Sequence, residues 1–164
     1  MTKLGKVLAE RTKLMKFRSG NAEGADYHFS KGVAAVDSSR LQVITPYKGH
    51  REKFNLAGET FALDELNLEQ ESKLIETSKE NSKHRNIVEL YADGVRNRNS
   101  IKAAYLIRDT AKVLGAENIP PATFGIFYDD LDDEKTGGTG HTIAVCEKHN
   151  IPVVNQSVWF EWLK

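Results

Sequence analysis

Cysteine is all but missing from this chain of 164 residues. Cys146 stands alone, so no internal disulfide and no multi-cysteine zinc site can form, which points to a reducing compartment such as the cytoplasm. Net charge is missing too: 23 Lys and Arg balance 23 Asp and Glu, removing the whole-surface attraction on which generic DNA coating or membrane-surface binding relies. No apolar run approaches the roughly 18 residues that cross a bilayer, and the Lys-rich start Met1 to Lys16 lacks the continuous apolar stretch of an export signal. Neither GxGxxG nor GxxxxGK[ST] occurs, so a standard NAD(P)-binding domain and a nucleoside triphosphatase both lack support. His28, His50, His84 and His149 show no ligand spacing, and no metal site or cofactor is expected.

What is present is a globular balance, 40% hydrophobic and 28% charged, that fits one α/β domain over residues 1–164. Leu4, Val7, Leu8 and Arg11 recur at helical spacing, and the short apolar run Leu14 to Phe17 reads as a strand ending at Ser19-Gly20. Ala22, Ala25, Phe29, Val33 and Val36 predict a second helix, and Leu41 to Thr45, β-branched and closed by Pro46, a second strand. Strands separated by helices imply a parallel sheet flanked by helices. The middle reads as a helical insertion over about 60–97, with helices at Asn67 to Ser78 and Ser82 to Ala92. A longer helix, Ser100 to Leu114, is closed by Gly115. A strand at Thr123 to Tyr128, an acidic loop at Asp129 to Glu134, a helix at Thr142 to His149 and a strand at Ile151 to Asn155 follow. Val158 to Leu163 reads as a short helix that packs Trp159, Phe160 and Trp162 over an open edge.

Two glycine segments each follow a predicted strand and open a helix. The first is Arg18-Ser19-Gly20-Asn21-Ala22-Glu23-Gly24-Ala25-Asp26 and the second Gly137-Gly138-Thr139-Gly140. The first amides of a helix lack internal partners and carry the positive end of its dipole, so an anion can sit there, and a missing side chain lets it approach. In a parallel sheet both segments emerge at the carboxyl edge, where open α/β folds bind ligands. A tight strand-to-helix turn with close packing explains either segment alone; two in one chain can share a ligand.

RSGNAEGADYHF, residues 18 to 29, and GGTGHTIAVCEKHNIPVVN, residues 137 to 155, look like the paired motifs of the SLOG superfamily, which contains the LOG nucleotide phosphoribohydrolases and the DprA/SMF proteins. With the helix ending in VLG at residues 113 to 115, the likeness covers about a third of the chain and is nearest to the small phage-type members. The resemblance implies a Rossmann-like fold and a nucleotide or nucleotide-derived ligand, its phosphate held over Gly137 to Thr142. Carried over, Ser19, Gly20, Glu23, Gly24 and Asp26 line the ribose or base, beside Arg18, while Gly137, Gly138, Thr139, Gly140, His141 and Thr142 hold phosphate. Arg108 matches the arginine of an RN pair whose partner is Asp109 here, and Arg96-Asn97 and Arg98-Asn99 are competing candidates for that pair. Many relatives are dimers, so a homo-oligomer is implied as well.

The hydrolases of the group follow their glycines with GTxxE, whereas this chain has His141-Thr142-Ile143-Ala144, and Glu147 lies about one turn further on. Three readings result. A sensor or sponge binds the nucleotide without turnover, phage counter-defence being one variant. A glycosidase uses Glu23, Asp26 or Glu147 as its carboxylate. A DprA-like module binds single-stranded nucleic acid through the basic start, where Lys3, Lys6, Arg11, Lys13, Lys16 and Arg18 face one acid, Glu10. The first is favoured. Glu23 and Asp26 otherwise read as carboxylates satisfying a helix start, Cys146 as a buried inert thiol, and Asp129 to Glu134 as a solvated loop.

Overall fold

The structure, a computed structural model, describes residues 1–164 as a single α/β domain. Helix α1 (Thr2–Arg11) leads to β1 (Phe17–Ser19), α2 (Ala25–Asp37) and β2 (Leu41–Thr45). Then come β3 (Glu59–Ala62), α3 (Ser72–Lys79), α4 (Arg85–Ala92) and α5 (Arg98–Leu114). β4 (Gly125–Ile126), α6 (Gly137–Lys148), β5 (Val153–Val154) and α7 (Gln156–Trp159) complete the chain. No helix is long and apolar enough to cross a membrane.

All strand pairs are parallel: β1-β2-β3 form one sheet and β4-β5 a second. β2 is buried along all five residues, as a central parallel strand must be when both of its faces are covered. Leu41 joins Leu4, Phe17, Phe29, Val33 and Trp159 under α1 and α2, while Ile44 joins Leu63, Leu74, Val88 and Ile107 under α3, α4 and α5. Ile126 and Val154 of the second sheet pack into the cluster that holds Phe17, which sets β4-β5 beside β1 although no backbone hydrogen bond joins β1 to β4.

Four expectations need correcting. The first strand starts at Phe17, because Leu14 is 96% exposed and forms part of the turn after α1. The predicted insertion begins with sheet: Glu59–Ala62 pairs with β2, a 3-10 turn follows at Leu63–Glu65, and α-helix starts only at Ser72. The strand expected over residues 123–128 has ladder pairing only at Gly125 and Ile126. The second glycine segment is the first turn of α6 itself, which begins at Gly137 rather than at Thr142. Of the three C-terminal aromatics, Trp159 is fully buried and donates Nε1–H to the Phe127 carbonyl at 2.8 Å, whereas Phe160 is exposed.

α5 is the central helix. Its start is fixed by a capping box in which Asn97 and Ser100 satisfy each other's backbone amides. Ten of its 17 residues are buried, among them the consecutive polar residues Arg108, Asp109 and Thr110. Burying three polar side chains in a row is costly unless each finds partners, and their partners define the site.

Candidate functional site

The turn from β1 into α2 is gripped from two sides. The Gly20 amide donates to Asp26 Oδ2 at 2.9 Å and the Ala22 amide to the same oxygen at 3.3 Å, while the Arg108 guanidinium donates to the Gly20 carbonyl. A side chain on Gly20 would intrude on Arg108 and stand 3.0 Å from Asp26 Oδ2, so the absence of one lets both groups reach the backbone. Gly24, at φ 86 with open space around it, sets the chain direction into α2. Burial by itself would raise the Asp26 carboxyl; the charges of Lys112 and Arg108 and the amides of Ala22 and Gly20 outweigh it and hold Asp26 below its ordinary value. Asp26 is therefore an ionised acceptor. Its Oδ1 makes no hydrogen bond within the protein.

Asp109 carries the arrangement across to α6. Its Oδ1 lies 3.0 Å from Lys112 Nζ and 3.0 Å from Arg108 Nε, and its Oδ2 lies 3.2 Å from where a Cβ on Gly138 would stand. The adjacent pair Arg108-Asp109 thus meets both glycine segments, the arginine at Gly20 and the aspartate at Gly138. Gly137 enters α6 at φ 58, and the N-cap residue Thr136 makes no side-chain capping bond, so no hydroxyl covers the first-turn amides. Gly140 serves close packing instead, since a Cβ there would overlap the Lys135 backbone, against which the helix start rests.

Other expected site residues are engaged elsewhere. Arg18 donates to the carbonyls of Lys112 at 2.9 Å and Pro120 at 2.8 Å, joining β1 to the end of α5. Ser19 is buried with its hydroxyl 2.9 Å from that of Ser30. His141 is buried, with Nε2 3.0 Å from Thr110 Oγ1 and Nδ1 3.3 Å from Asn81 Nδ2, and burial lowers its pKa. Thr142 returns its hydroxyl to the Gly138 carbonyl at 2.8 Å, and Thr139 is half-buried in the same turn. Glu147, near the far end of α6, pairs with Lys135 at 2.7 Å. Glu23 is exposed, 3.8 Å from Arg51.

The carboxyl edge also holds residues to which sequence reasoning gave no role. Asn21, at φ 53 and fully buried, donates Nδ2 to the carbonyls of His50 at 3.4 Å and Arg51 at 3.2 Å. Tyr47, His50 and Tyr105 stack edge to face, with centroids 5.0 and 5.5 Å apart. The signal available was position: any loop leaving the end of Leu41–Thr45 in a parallel sheet emerges beside the first glycine turn. The acidic loop is stitched from within, Asp129 accepting the amides of Asp130 at 3.1 Å and Lys135 at 3.0 Å. Two open clefts, about 220 and 370 Å³, lie away from this edge on α3 and α4, lined by Leu68, Ile75 and Ala92 and by Lys79, Arg85 and Glu89 respectively. Their walls carry none of the glycine segments, so the ordered chemistry and these depressions do not coincide. The chain matches no family model, no curated protein and no solved structure.

Proposed function

We propose that this protein binds a nucleotide or nucleotide-derived signalling molecule at the carboxyl edge of its parallel strands, as a sensor or sponge. The observation that carries the reading is the Arg108-Asp109 pair, which ties the two glycine segments into one surface. Phosphate would lie over the first turn of α6, where the local carboxylate, Asp109, is offset by two cations at 3.0 Å. A ribose hydroxyl would donate to Asp26 Oδ1 and to the exposed carboxylate of Glu23.

Binding is favoured over turnover by the carboxylates themselves. A general base for glycosidic cleavage gains from a raised pKa, whereas Asp26 is held low, Glu23 faces solvent and Glu147 is paired at the other end of α6. The nucleic-acid reading is weighed down because most of the basic start has partners within the chain, Lys13 being the exception. Lys3 donates to the Leu163 carbonyl, Arg11 to that of Trp162, Lys6 and Lys16 pair with Glu10 and Glu59, and Arg18 is inside the fold.

The test is mass spectrometry of small molecules released by heating the purified protein, followed by calorimetric titration of a nucleotide panel. An unchanged nucleotide recovered from the protein and rebound by it is the expected result; free base plus a ribose phosphate would make the protein a glycosidase. Gly138→Asp, at an exposed position with ordinary backbone angles, should weaken nucleotide binding by at least about tenfold through like-charge repulsion, with Gly138→Ala, which adds the same Cβ beside Asp109 without the charge, as the control that keeps its affinity. Undiminished affinity in Gly138→Asp would refute the placement of phosphate on α6.

A further inference from the structure

Buried polar nitrogens without a partner are rare in folded proteins, since each gives up water and gains nothing. Five occur here, Nε of Arg18, Arg51 and Arg108 and Nε2 of His50 and His149. Those of His50, Arg51 and Arg108 belong to one cluster outside the glycine segments. His50 packs 5.5 Å from the Tyr105 ring, and the same ring lies 5.4 Å from the Arg108 guanidinium carbon. Arg51 follows His50 directly, and Tyr47 closes the other side of the imidazole at 5.0 Å. His50 and Arg108 are only 7% and 4% exposed, which leaves little water to serve their unpaired nitrogens.

Two further observations point the same way. Arg51 sits in the left-handed region at φ 48, a conformation unfavourable for a residue with a side chain, and Asn21 holds it there through its carbonyl. The Arg51 guanidinium makes no hydrogen bond; it lies 4.8 Å from the Phe54 ring and 3.8 Å from the exposed Glu23 carboxylate. Arg108 Nε is 3.0 Å from Asp109 Oδ1 yet outside hydrogen-bonding direction, so the ion pair leaves its N–H unspent. Burial first, then the charges of Arg108 and Arg51, lowers the His50 pKa, so both guanidiniums act on the imidazole.

We propose that the segment between β2 and β3, together with α5, forms a binding site for a phosphate-class oxyanion, with the guanidiniums of Arg51 and Arg108 and the imidazole N–H of His50 as donors and Tyr47 and Tyr105 as walls. Guanidinium groups match the geometry of phosphate oxygens, and a third N–H completes the set. Glu23 rests beside Arg51 in the free protein and must give way to the incoming anion. The site shares Arg108 and Glu23 with the nucleotide reading but does not require it, since a phosphomonoester and inorganic phosphate offer the same oxygens.

The experiment is titration of the full chain with inorganic phosphate, and in a parallel arm with a nucleoside 5′-monophosphate, for the wild type, Arg51→Gln, Glu23→Gln and Gly138→Asp. Saturable phosphate binding is expected. Arg51→Gln should weaken it about tenfold, and Glu23→Gln should tighten it several-fold by removing the competing carboxylate. A merely structural Arg51 would not produce the tightening. Tighter binding of the monophosphate than of phosphate assigns the ester as the source, and equal binding assigns the free ion. The proposal is overturned if the wild type binds no phosphate, if the Arg51 and Glu23 variants both bind it as the wild type does, or if Gly138→Asp alone abolishes binding. The last result would place the ion on α6 and leave the nucleotide reading standing. Should Arg51→Gln fail to fold, Glu23→Gln, on an exposed side chain, still decides.

Discussion

The three glycines at the start of α6 occupy one short motif for three different physical reasons, and replacing each with alanine should separate them. At Gly140 a Cβ would lie well inside 3.0 Å of the Lys135 carbonyl carbon and oxygen and 3.0 Å from its Cα, all backbone atoms that cannot rotate away. Overpacking of that kind costs about 3 kcal/mol, offset by about 1 kcal/mol for replacing glycine with alanine in a helix. The net loss of about 2 kcal/mol corresponds to about 4–8 °C in melting temperature for a domain of this size. At Gly137 nothing lies within 4 Å, and only the backbone angle, φ 58, objects. That costs about 1 kcal/mol, or about 2–4 °C. Gly138 has ordinary angles and meets only the Asp109 side chain at 3.2 Å, so its alanine variant should melt within about 2 °C of the wild type. Differential scanning calorimetry at neutral pH gives the order directly: Gly138→Ala highest, then Gly137→Ala, then Gly140→Ala. A Gly140→Ala protein that melts with the wild type would refute the close approach of α6 to Lys135, and with it the account of how this segment is built.

Further tests concern single side chains. Asp26 is held below its ordinary value of 3.8, so the stability it adds is complete above that value and lost as pH falls through the lower folded-state value. Asp26→Asn should therefore cost about 1–2 kcal/mol in urea denaturation at neutral pH and much less in strong acid; an equal cost at both would show that the charge plays no part. Burial keeps His141 below its ordinary 6.5, so the unfolded chain takes up the proton first and the protein loses stability as pH falls below that value. His141→Gln should flatten that acid slope, and an unchanged slope would show that His141 does not contribute to it. Trp159→Ala should destabilise by about 3–5 kcal/mol in chemical denaturation, since a fully buried indole and its bond to the Phe127 carbonyl are both lost. Cys146 is buried and its thiol is pushed up to about 11, so an aromatic disulfide reagent should react with it only at the rate of unfolding; fast labelling of the native protein would contradict its placement.

Local pattern carried the regular elements and failed where partners are distant in sequence. Leu41–Thr45 was legible because five residues of strand character end at a proline, and the end of α5 because Gly115 stops an apolar period. β3 was not legible. Glu59-Thr60-Phe61-Ala62 is too short and too polar to declare itself, and only pairing with β2 makes it a strand. Leu14 and Met15 misled because their apolar character lies on the surface, whereas the ladder begins two residues later. The glycine run read as a loop because glycine is a poor helix former, yet packing against Lys135 and α5 draws it into the first turn of α6. At the candidate site the glycines and Asp26 were visible as a motif. The roles of Asp109, His50 and Arg51 were not, since a charge next to another charge on a helix, or in a polar loop, reads as a solvated face until the fold buries it.

The missing ladder between β1 and β4 has a mechanical meaning. Strands joined by backbone hydrogen bonds resist sliding, whereas β1 meets β4-β5 only through side chains such as Phe17, Ile126 and Val154. That boundary is where the domain should first yield, and amide exchange ought to report two units of unequal protection on either side of it. The first glycine turn belongs to the unit holding β1, whereas α6 lies between α5 and β5. A ligand that grips both would act as a rivet across the boundary, so that slowed exchange in β4 and β5 on its addition would measure how much of the binding free energy goes into closing the joint.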